Sequence, residues 1–360
     1  MHIVILICGA FLVLATLLSI VSGPAWWIRI FDFPRQQIAI GFICLIVAEM
    51  VFLGQWNVVD YAFLGAFVAG IAYQSVRIFP FTPLASRQVQ DTVSRDDNRS
   101  LRLLIANVLM HNRRAEDFLA LVREYKPDLV LAVETDAWWD HQLEPLRQTY
   151  PHVVTCPLPN TYGMHLSSRL ELGSPVLRFL VEDDVPSVRT GVRLRSGDWI
   201  DFYGVHPRPP TPGQDTEQRD AELLLVGKEV KARARPAIVA GDLNDVAWSH
   251  TTRLFQRISG LLDPRVGRGM FGTFHASYPF FRWPLDHVFH DRSFRIAALQ
   301  RLPWFGSDHF PVFMELRYEP QNTSNEMPER ADAEDRREIE TRIQEGLEAG
   351  SGAGRSPMPT

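Results

Sequence analysis

The sequence is poor in cysteine and close to electrically balanced, and each shortage excludes a class of protein. Only three of its 360 residues are cysteines, which are too few for a fold held together by disulfide bonds. The formal net charge is −5 at pH 7, which excludes a protein that binds nucleic acid mainly through excess positive charge. The 23 glycines and 25 prolines follow no repeating pattern, so the chain is neither collagenous nor of low complexity.

Charge is also scarce in the first 80 residues, which contain three apolar runs. No charged residue occurs between Ile3 and Ile28, and two more apolar runs follow at Ile38–Leu53 and Tyr61–Val76. About 20 apolar residues suffice to cross a bilayer, so residues 1–79 are predicted to form three transmembrane helices. A cleaved signal peptide, which would need a basic leading segment, is the alternative for the first run. Buried helices of a soluble protein are the alternative for all three.

The six arginines of residues 1–99 predict the orientation of such an anchor. With three crossings, all six lie on the side that carries the rest of the chain, and no lysine or arginine lies on the other side. Positive residues accumulate on the cytoplasmic side of membrane proteins, so the large C-terminal part is predicted to be cytoplasmic.

Composition divides the remainder into three parts. Residues 80–99 are polar, with two early prolines, and are predicted to be a linker. Residues 320–360 hold nine acidic residues against five arginines and no aromatic residue, which predicts a largely disordered tail with a frayed helix near 328–348 followed by disorder. Residues 100–319 lie between them and are long enough to bury a full hydrophobic core.

Within 100–319, short apolar runs alternate with a few helical patterns. Strands are predicted at 101–109, 128–133, 176–182, 187–194, 199–205, 236–241, 285–290, 295–302 and 311–318. Helices are expected near 114–125, 216–232 and 249–258. Many strands and few helices predict an α/β fold in which packed sheets carry helices on their outer faces.

Polar side chains follow several of these strands at the point where each strand ends. They are Asn107, Glu134, His206, Asp242, Asn244, Asp286, Asp308 and His309. Taken singly, each could be a turn residue, a helix cap or the end of a strand. Taken as an ordered set they predict one site, because functional groups gather at strand ends in sheet proteins.

Oxygen donors without cysteine suit Mg²⁺ or Mn²⁺. Carboxylates that hold a cation and align water, with histidine and asparagine to stabilise negative charge, form a set suited to hydrolysing a phosphoester.

Six segments carry a resemblance to a known family. In chain order they are IANVL, AVETD, YGVHPRPP, GDLND, PLDHVF and GSDHFPV, of which GDLN and SDH are the most specific. Over roughly 100–318 the chain resembles the endonuclease/exonuclease/phosphatase superfamily, and its layout resembles a membrane-anchored bacterial branch. The resemblance implies a four-layered sandwich of two mixed β-sheets flanked by helices, here preceded by three transmembrane helices. It also implies a divalent cation and, for a bacterial chain, a multi-pass protein of the inner membrane.

The resemblance also implies a role for each polar residue. Glu134 and Asn107 resemble the metal ligands, and Asp242 resembles the group that orients or activates water. Asn244 and His206 resemble groups near the phosphate. Asp308 resembles the partner that fixes the acid/base His309, while Asp286 resembles a further acid of the site.

The substrate stays open between two classes. The resemblance implies a nuclease-like phosphodiesterase, whereas a neutral domain beside a bilayer suits a phospholipid, inositol or sugar-phosphate esterase. Residues 265–283 mix arginine with six aromatic residues and could stack on nucleic acid, contact lipid headgroups or pack on the core. A catalytically inactive membrane scaffold is the third alternative. The expected partners are a lipid bilayer and the phosphoester, and no protein partner can be inferred.

Overall fold

The computed structural model describes residues 2–52, 55–321 and 324–353, and within it the chain forms two compact units. The helical unit comprises Met1–Ser86 with the short segments Thr211–Thr216 and Gly267–Gly269. The sheet unit comprises Arg87–Pro210, Glu217–Val266 and Met270–Thr360.

Four helices make up most of the helical unit. They are α1 (His2–Leu18), α2 (Trp26–Arg29), α3 (Arg35–Phe52) and α4 (Val58–Ile78). The rings of Phe42 and Phe67 lie 5.4 Å apart at the centre of a cluster to which α1, α3 and α4 all contribute. Asn57 caps α4 by accepting a hydrogen bond from the backbone of Asp60, whose carboxylate accepts one from the Asn57 N–H.

The prediction of three transmembrane helices is wrong in number. Among the described residues, two helices are long and apolar enough to cross a membrane, Arg35–Phe52 and Val58–Phe81. The first apolar run stops being helical at Leu18, and its 17-residue helix is about 26 Å long, short of the ~30 Å hydrocarbon layer. Gly23 and Pro24 interrupt the run, because proline disfavours helical geometry in the residue before it.

Glu49 lies inside the second of the apolar runs and is fully buried. Neither of its carboxylate oxygens has a hydrogen-bond partner among the described residues. The expected turn at residues 54–57 falls partly outside those residues, since Gly54 is not among them.

Two mixed sheets form the sheet unit. The first has the order β10-β11-β1-β2-β4-β3. Its strands are β1 (Ser100–Asn107), β2 (Leu129–Val133), β3 (His152–Cys156), β4 (Met164–Ser168), β10 (Phe294–Arg301) and β11 (Val312–Tyr318). The second has the order β5-β6-β7-β8-β9. Its strands are β5 (Leu172–Phe179), β6 (Pro186–Arg193), β7 (Trp199–Gly204), β8 (Ala237–Asp242) and β9 (Asp286–His290). Within them β1 pairs parallel with β2 and β7 pairs parallel with β8, so each sheet is mixed.

Helices cover the outer faces of both sheets. They are α5 (Ala115–Tyr125), α6 (Ala137–Leu143), α7 (Glu217–Arg233) and α8 (His250–Ser259), while α9 (Ala333–Ala353) packs outside α7 and α8. One apolar cluster fills the space between the sheets, a second joins the first sheet to α5 and α6, and a third joins the second sheet to α7 and α8. The predicted α/β fold, two mixed sheets flanked by helices, is confirmed.

Two predictions about the ends of this unit differ from the structure. Residues 80–99 do not form a free linker throughout, because Val89 is fully buried in the cluster between the sheets and the N–H of Thr92 donates to the carbonyl of Ile296. The helix expected near 328–348 lies at Ala333–Ala353, and it is docked rather than frayed, because α9 buries Ile339 and Ile343. Residues 354–360 of that tail lie outside the described residues.

Candidate active site

Neighbouring strand ends bring the predicted polar residues of both sheets together. Asn107 ends β1, and its amide nitrogen donates to Glu134 Oε1 at 2.7 Å and to Asp242 Oδ2 at 3.1 Å. Glu134 follows the parallel neighbour β2, whereas Asp242 ends β8 of the other sheet. These two hydrogen bonds therefore join the sheets at the predicted site.

Glu134 occupies a strained position in an acidic field. Its backbone has φ of 62°, and its Oε2 accepts a hydrogen bond from the N–H of Met110 at 3.3 Å. Burial raises the pKa of Glu134 to about 7, and the carboxylates of Asp242 and Asp308 act in the same direction while the Asn107 hydrogen bond opposes them. Negative charge around Glu134 is therefore only partly compensated by the protein.

The GDLN segment places Asp242 and Asn244 through an unusual backbone path. Gly241 has φ of 145°, and a Cβ there would lie 1.9 Å from the carbonyl oxygen of Val205, so only glycine fits. Asp242 Oδ1 accepts a hydrogen bond from the N–H of Asn244 at 2.9 Å, and the Asn244 amide donates to the carbonyl of Pro207 at 3.0 Å. Burial raises the pKa of Asp242, which the His309 charge opposes.

His309 is held between two carboxylates. Its Nδ1 lies 2.8 Å from Asp286 Oδ2, and its Nε2 lies 3.4 Å from Asp242 Oδ2. Burial acts to lower the pKa of His309, but Asp286 and Asp242 outweigh it and raise that pKa to about 10. Both ring nitrogens face acceptors, so the ring fits the site as an imidazolium.

The partner of His309 differs from the one that the resemblance implied. Asp286, rather than the neighbouring Asp308, bonds the imidazole. His309 forms an isolated antiparallel bridge with Phe274, whereas Asp308 lies in the bend before it. Asp308 Oδ1 instead lies 3.4 Å from Ser307 Oγ.

His206 also lies near Asp242. Its Nε2 is 4.0 Å from Asp242 Oδ2, and its ring packs at 5.6 Å from that of Tyr162. Burial lowers the pKa of His206 to about 4, with His309 adding to the effect and Asp242 opposing it. His206 is therefore neutral at pH 7, and its Nδ1 has no hydrogen-bond partner among the described residues.

Ser307 belongs to the site although its role was not predicted. Its hydroxyl donates to the carbonyl of Asn107 at 2.8 Å and accepts from the N–H of His309 at 3.0 Å. It is buried and joins the GSDH segment to the end of β1. Its place in the GSDH motif, directly before Asp308, was the available signal.

Part of the aromatic segment 265–283 borders the site. The ring of Phe274 lies 4.9 Å from that of His309, and the N–H of Ala276 donates to the carbonyl of Asp308 at 2.6 Å. Beyond them Tyr278, Phe280 and Phe281 are exposed, Phe280 by 84%. The segment therefore has a packed base and an exposed aromatic rim.

Two groups of residues could bind a cation. Ligand atoms of Asp242, Asp286 and His309 lie within 4.8 Å of one another, but both nitrogens of that imidazole already face carboxylates. Glu134 lies in the field of Asp242 and Asp308, and its carboxylate is a hard oxygen donor. The uncompensated negative charge makes the Glu134 group the better fit for a divalent cation.

A cavity of about 320 Å³ lies elsewhere, near the start of β8. Arg189, Arg233 and Arg235 line it, together with Trp199 and Asp201. Asp201 pairs with Arg233 at 2.7 Å and with Arg235 at 3.6 Å. This cavity lacks the set of carboxylates and histidines described above, so its volume does not identify it as the active site.

Known proteins share this fold and sequence pattern. The chain matches the Endonuclease/Exonuclease/phosphatase family over residues 104–309. No curated protein sequence matches it. An endonuclease/exonuclease/phosphatase structure from Beutenbergia cavernae is 22% identical and has a TM-score of 0.51, with 61% of this chain and 72% of that chain covered.

Two further solved structures are similar over nearly their whole length. TDP2 of D. rerio, complexed with a single-strand DNA product, is 16% identical with a TM-score of 0.52, covering 61% of this chain and 99% of that chain. The human Nocturnin catalytic domain with bound sulfate is 17% identical with a TM-score of 0.51, covering 62% of this chain and 95% of that chain. At these identities the likeness concerns the fold. With the match to residues 104–309, the chain belongs to the endonuclease/exonuclease/phosphatase family, whose members are metal-dependent hydrolases of phosphoric esters.

Proposed function

We propose that the chain is a membrane-associated, Mg²⁺- or Mn²⁺-dependent phosphodiesterase in which water attacks phosphorus in line. The observation that carries the proposal is the contact of His309 with both Asp286 and Asp242 beside the Asn107–Glu134 pair. This arrangement places an imidazolium next to a buried carboxylate. The carboxylate can accept a proton from water, and the imidazolium can donate a hydrogen bond to the phosphoester.

Each residue contributes a separate part of the reaction. Asp242 orients the attacking water and accepts its proton, since its carboxylate is buried and burial raises its pKa. His309, fixed by Asp286, donates a charge-assisted hydrogen bond to a phosphate oxygen. The neutral His206 and the Asn244 amide supply further donors for the negative charge that develops on the phosphate.

Glu134 and Asn107 would hold the divalent cation, which when bound would neutralise phosphate charge and polarise the scissile ester. Substituting Glu134 by Gln removes the charged donor and keeps the side-chain shape. Cation affinity should then fall by about ten-fold or more, measured by isothermal titration with Mn²⁺. Unchanged affinity would exclude Glu134 as the ligand.

Membrane association rests on α3 and α4. Two crossings leave Arg29, Arg35 and Arg77 on the side of the sheet unit, as three crossings would. Under the positive-inside rule that side is the cytoplasm. Alkaline extraction of membranes would test the proposal, since a spanning hairpin stays in the pellet and a soluble protein does not.

A nuclease-like diester is the first candidate substrate, because the similar TDP2 structure contains a single-strand DNA product. A membrane phospholipid, inositol or sugar phosphate is the second, and the exposed Tyr278, Phe280 and Phe281 near the site favour it. The purified full-length protein should be assayed on DNA, RNA, phospholipid vesicles and inositol phosphates with Mg²⁺, Mn²⁺ or EDTA. Cation-dependent cleavage of a nucleic acid or of a lipid would identify the substrate class. If none of these substrates is cleaved, the inactive membrane scaffold is the remaining alternative.

A further inference from the structure

The helix α9 lies outside the family match and packs closely on α7. Its Ile339 and Ile343 share an apolar cluster with Leu224 of α7 and Leu254 of α8. At Gly346 a Cβ would lie 2.4 Å from the carbonyl oxygen of Glu217, so the two helices approach as closely as glycine permits. The helix α9, called the appended helix below because it follows the matched region, therefore packs as an integral part of the sheet unit.

A buried ion pair crosses this helix interface. Arg342 Nη1 of α9 donates to Asp220 Oδ2 of α7 at 3.0 Å, while its Nε donates to Glu338 at 2.8 Å. Asp220 is fully buried and the side chain of Arg342 is 9% exposed. The attraction between two buried charges offsets the free-energy cost of their desolvation only when their geometry and hydrogen bonding are good.

The pair continues toward the candidate active site. The other oxygen of Asp220, Oδ1, accepts hydrogen bonds from Arg219 Nε at 3.1 Å and Nη2 at 2.8 Å. Arg219 Nη1 donates at 2.9 Å to the backbone carbonyl of Asn244, and Arg219 is 1% exposed. Three buried charges thus connect α9 to the GDLN segment.

The carbonyl at the end of this chain belongs to a strained residue. Asn244 has φ of 50°, a left-handed conformation that costs free energy and needs outside support. From that conformation its N–H bonds Asp242 and its amide bonds Pro207. A hydrogen bond to its carbonyl therefore helps to hold two groups that the proposed reaction uses.

We infer that Arg342 of the appended helix is a positioning residue, which acts through Asp220 and Arg219 to hold Asn244 and Asp242 in the reactive arrangement. This inference rests on the proposed function. It assigns a role in the chemistry to a helix that lies outside the matched region.

The chain offers a matched control two residues away. Glu340 of α9 pairs with Lys228 of α7 at 2.6 Å, on the exposed surface, with its side chain 64% exposed. Both ion pairs join the same two helices, but the Glu340 pair has no contact with the GDLN segment among those described. Arg342→Gln and Glu340→Gln therefore separate positioning from simple helix docking.

In the full-length protein we expect Arg342→Gln to lower kcat by about ten- to a hundred-fold with little change in KM, because misplaced groups act on the transition state. Glu340→Gln should keep the wild-type kcat, and Arg342→Lys should lie between Gln and wild type. An unchanged kcat in Arg342→Gln, or an equal loss in Glu340→Gln, would overturn the inference. If Arg342→Gln does not fold, the Arg342→Lys and Glu340→Gln pair decides in the same way.

A double-mutant cycle tests the route through Asn244. In the Asn244→Ala background, Arg342→Gln should cause a smaller further loss than in the wild type, because the Asn244 amide is already absent while the backbone of residue 244 still positions Asp242. Fully additive losses would contradict the route.

A readout without turnover separates this inference from the proposed function. The backbone ¹³C shift of the Asn244 carbonyl should move in Arg342→Gln and stay in Glu340→Gln. If no phosphoester is hydrolysed but this shift moves, the proposed function fails and the connection stands. If hydrolysis occurs and the shift does not move, the connection fails alone.

Discussion

The two ends of the five-stranded sheet carry opposite charge and differ in what they can do. At the end of β8, the buried Asp242 and Asp286 enclose His309. Near its start, about 17 Å away along a strand of six residues, Arg233 and Arg235 share Asp201 at the rim of the cavity. At the first end the negative charge of the carboxylates is only partly compensated by the protein, so this end can bind a cation or a proton. At the second end the carboxylate is already paired with arginines. Converging buried acids, rather than empty volume, mark the chemistry.

The largest expected effect removes the carboxylate at the acidic end. Asp242→Asn keeps the shape but cannot accept a proton from water, so kcat should fall by about 10³-fold or more. Steady-state hydrolysis of a diester by the full-length protein in detergent measures it. A loss below about ten-fold would mean that Asp242 does not act on the water.

A smaller effect separates the two acids next to His309. Asp286→Asn should lower both kcat, by about 10²-fold, and the pKa of His309, because it removes the directly bonded carboxylate. Asp308→Asn, which also removes one negative charge, should lower that pKa less. Titration of the His309 ring protons by NMR distinguishes them, and a larger shift in Asp308→Asn would restore the partner that the family resemblance implied.

Glu222 provides a buried carboxyl that belongs to neither end. It lies on α7, and one of its oxygens has no hydrogen-bond partner among the described residues. Burial raises its pKa to about 8, Glu182 adds to this and Arg178 opposes it. The folded protein therefore holds a proton that the unfolded chain releases above about pH 4.3, so this contribution to stability is lost as the pH rises toward 8.

Glu222→Gln should remove that dependence. Between pH 5 and pH 7 the free energy of unfolding of the wild type should fall by about 1.4 kcal/mol per pH unit relative to the variant. Denaturant titrations of both proteins in the same detergent measure the difference. Parallel pH profiles would show that the buried carboxyl is compensated in the folded state.

The smallest effect concerns the arginine-rich end. Arg235→Gln removes a half-exposed side chain whose ion pair with Asp201 is 3.6 Å long. Hydrolysis should stay within about two-fold of wild type, and stability should change by less than about 0.5 kcal/mol. A large loss of activity would place part of the substrate site at this end.

Strand ends were predictable because short apolar runs stop at a polar side chain, as at Asn107 and Asp242. The partner of His309 was not, because it depends on which way neighbouring side chains point in the folded sheet. Apolar periodicity also did not predict the strands β3 and β4. β4 buries His165, Ser167 and Ser168, so its sequence lacks the apolar signal of a buried strand.

Sequence composition alone did not reveal the packing of the N-terminal and C-terminal regions. The first apolar run looked long enough to cross a membrane, but Gly23 and Pro24 divide it. A helix was expected near 328–348 in the acidic C-terminal region, but composition did not show that Ile339 and Ile343 give α9 a buried apolar face or that Arg342 has a buried partner on α7. Whether such a segment is ordered depends on residues that are distant in sequence and pack against it, and the segment's own composition does not reveal them.

Cation-dependent hydrolysis tests the central claim most directly. The full-length protein and its Glu134→Gln variant should be assayed on bis(p-nitrophenyl) phosphate while Mn²⁺ or Mg²⁺ is titrated into EDTA-treated samples. We predict that wild-type hydrolysis appears only with the cation and that the variant needs at least about ten-fold more of it. Hydrolysis that is equal with and without the cation, or equal in both proteins at every concentration, would contradict the account.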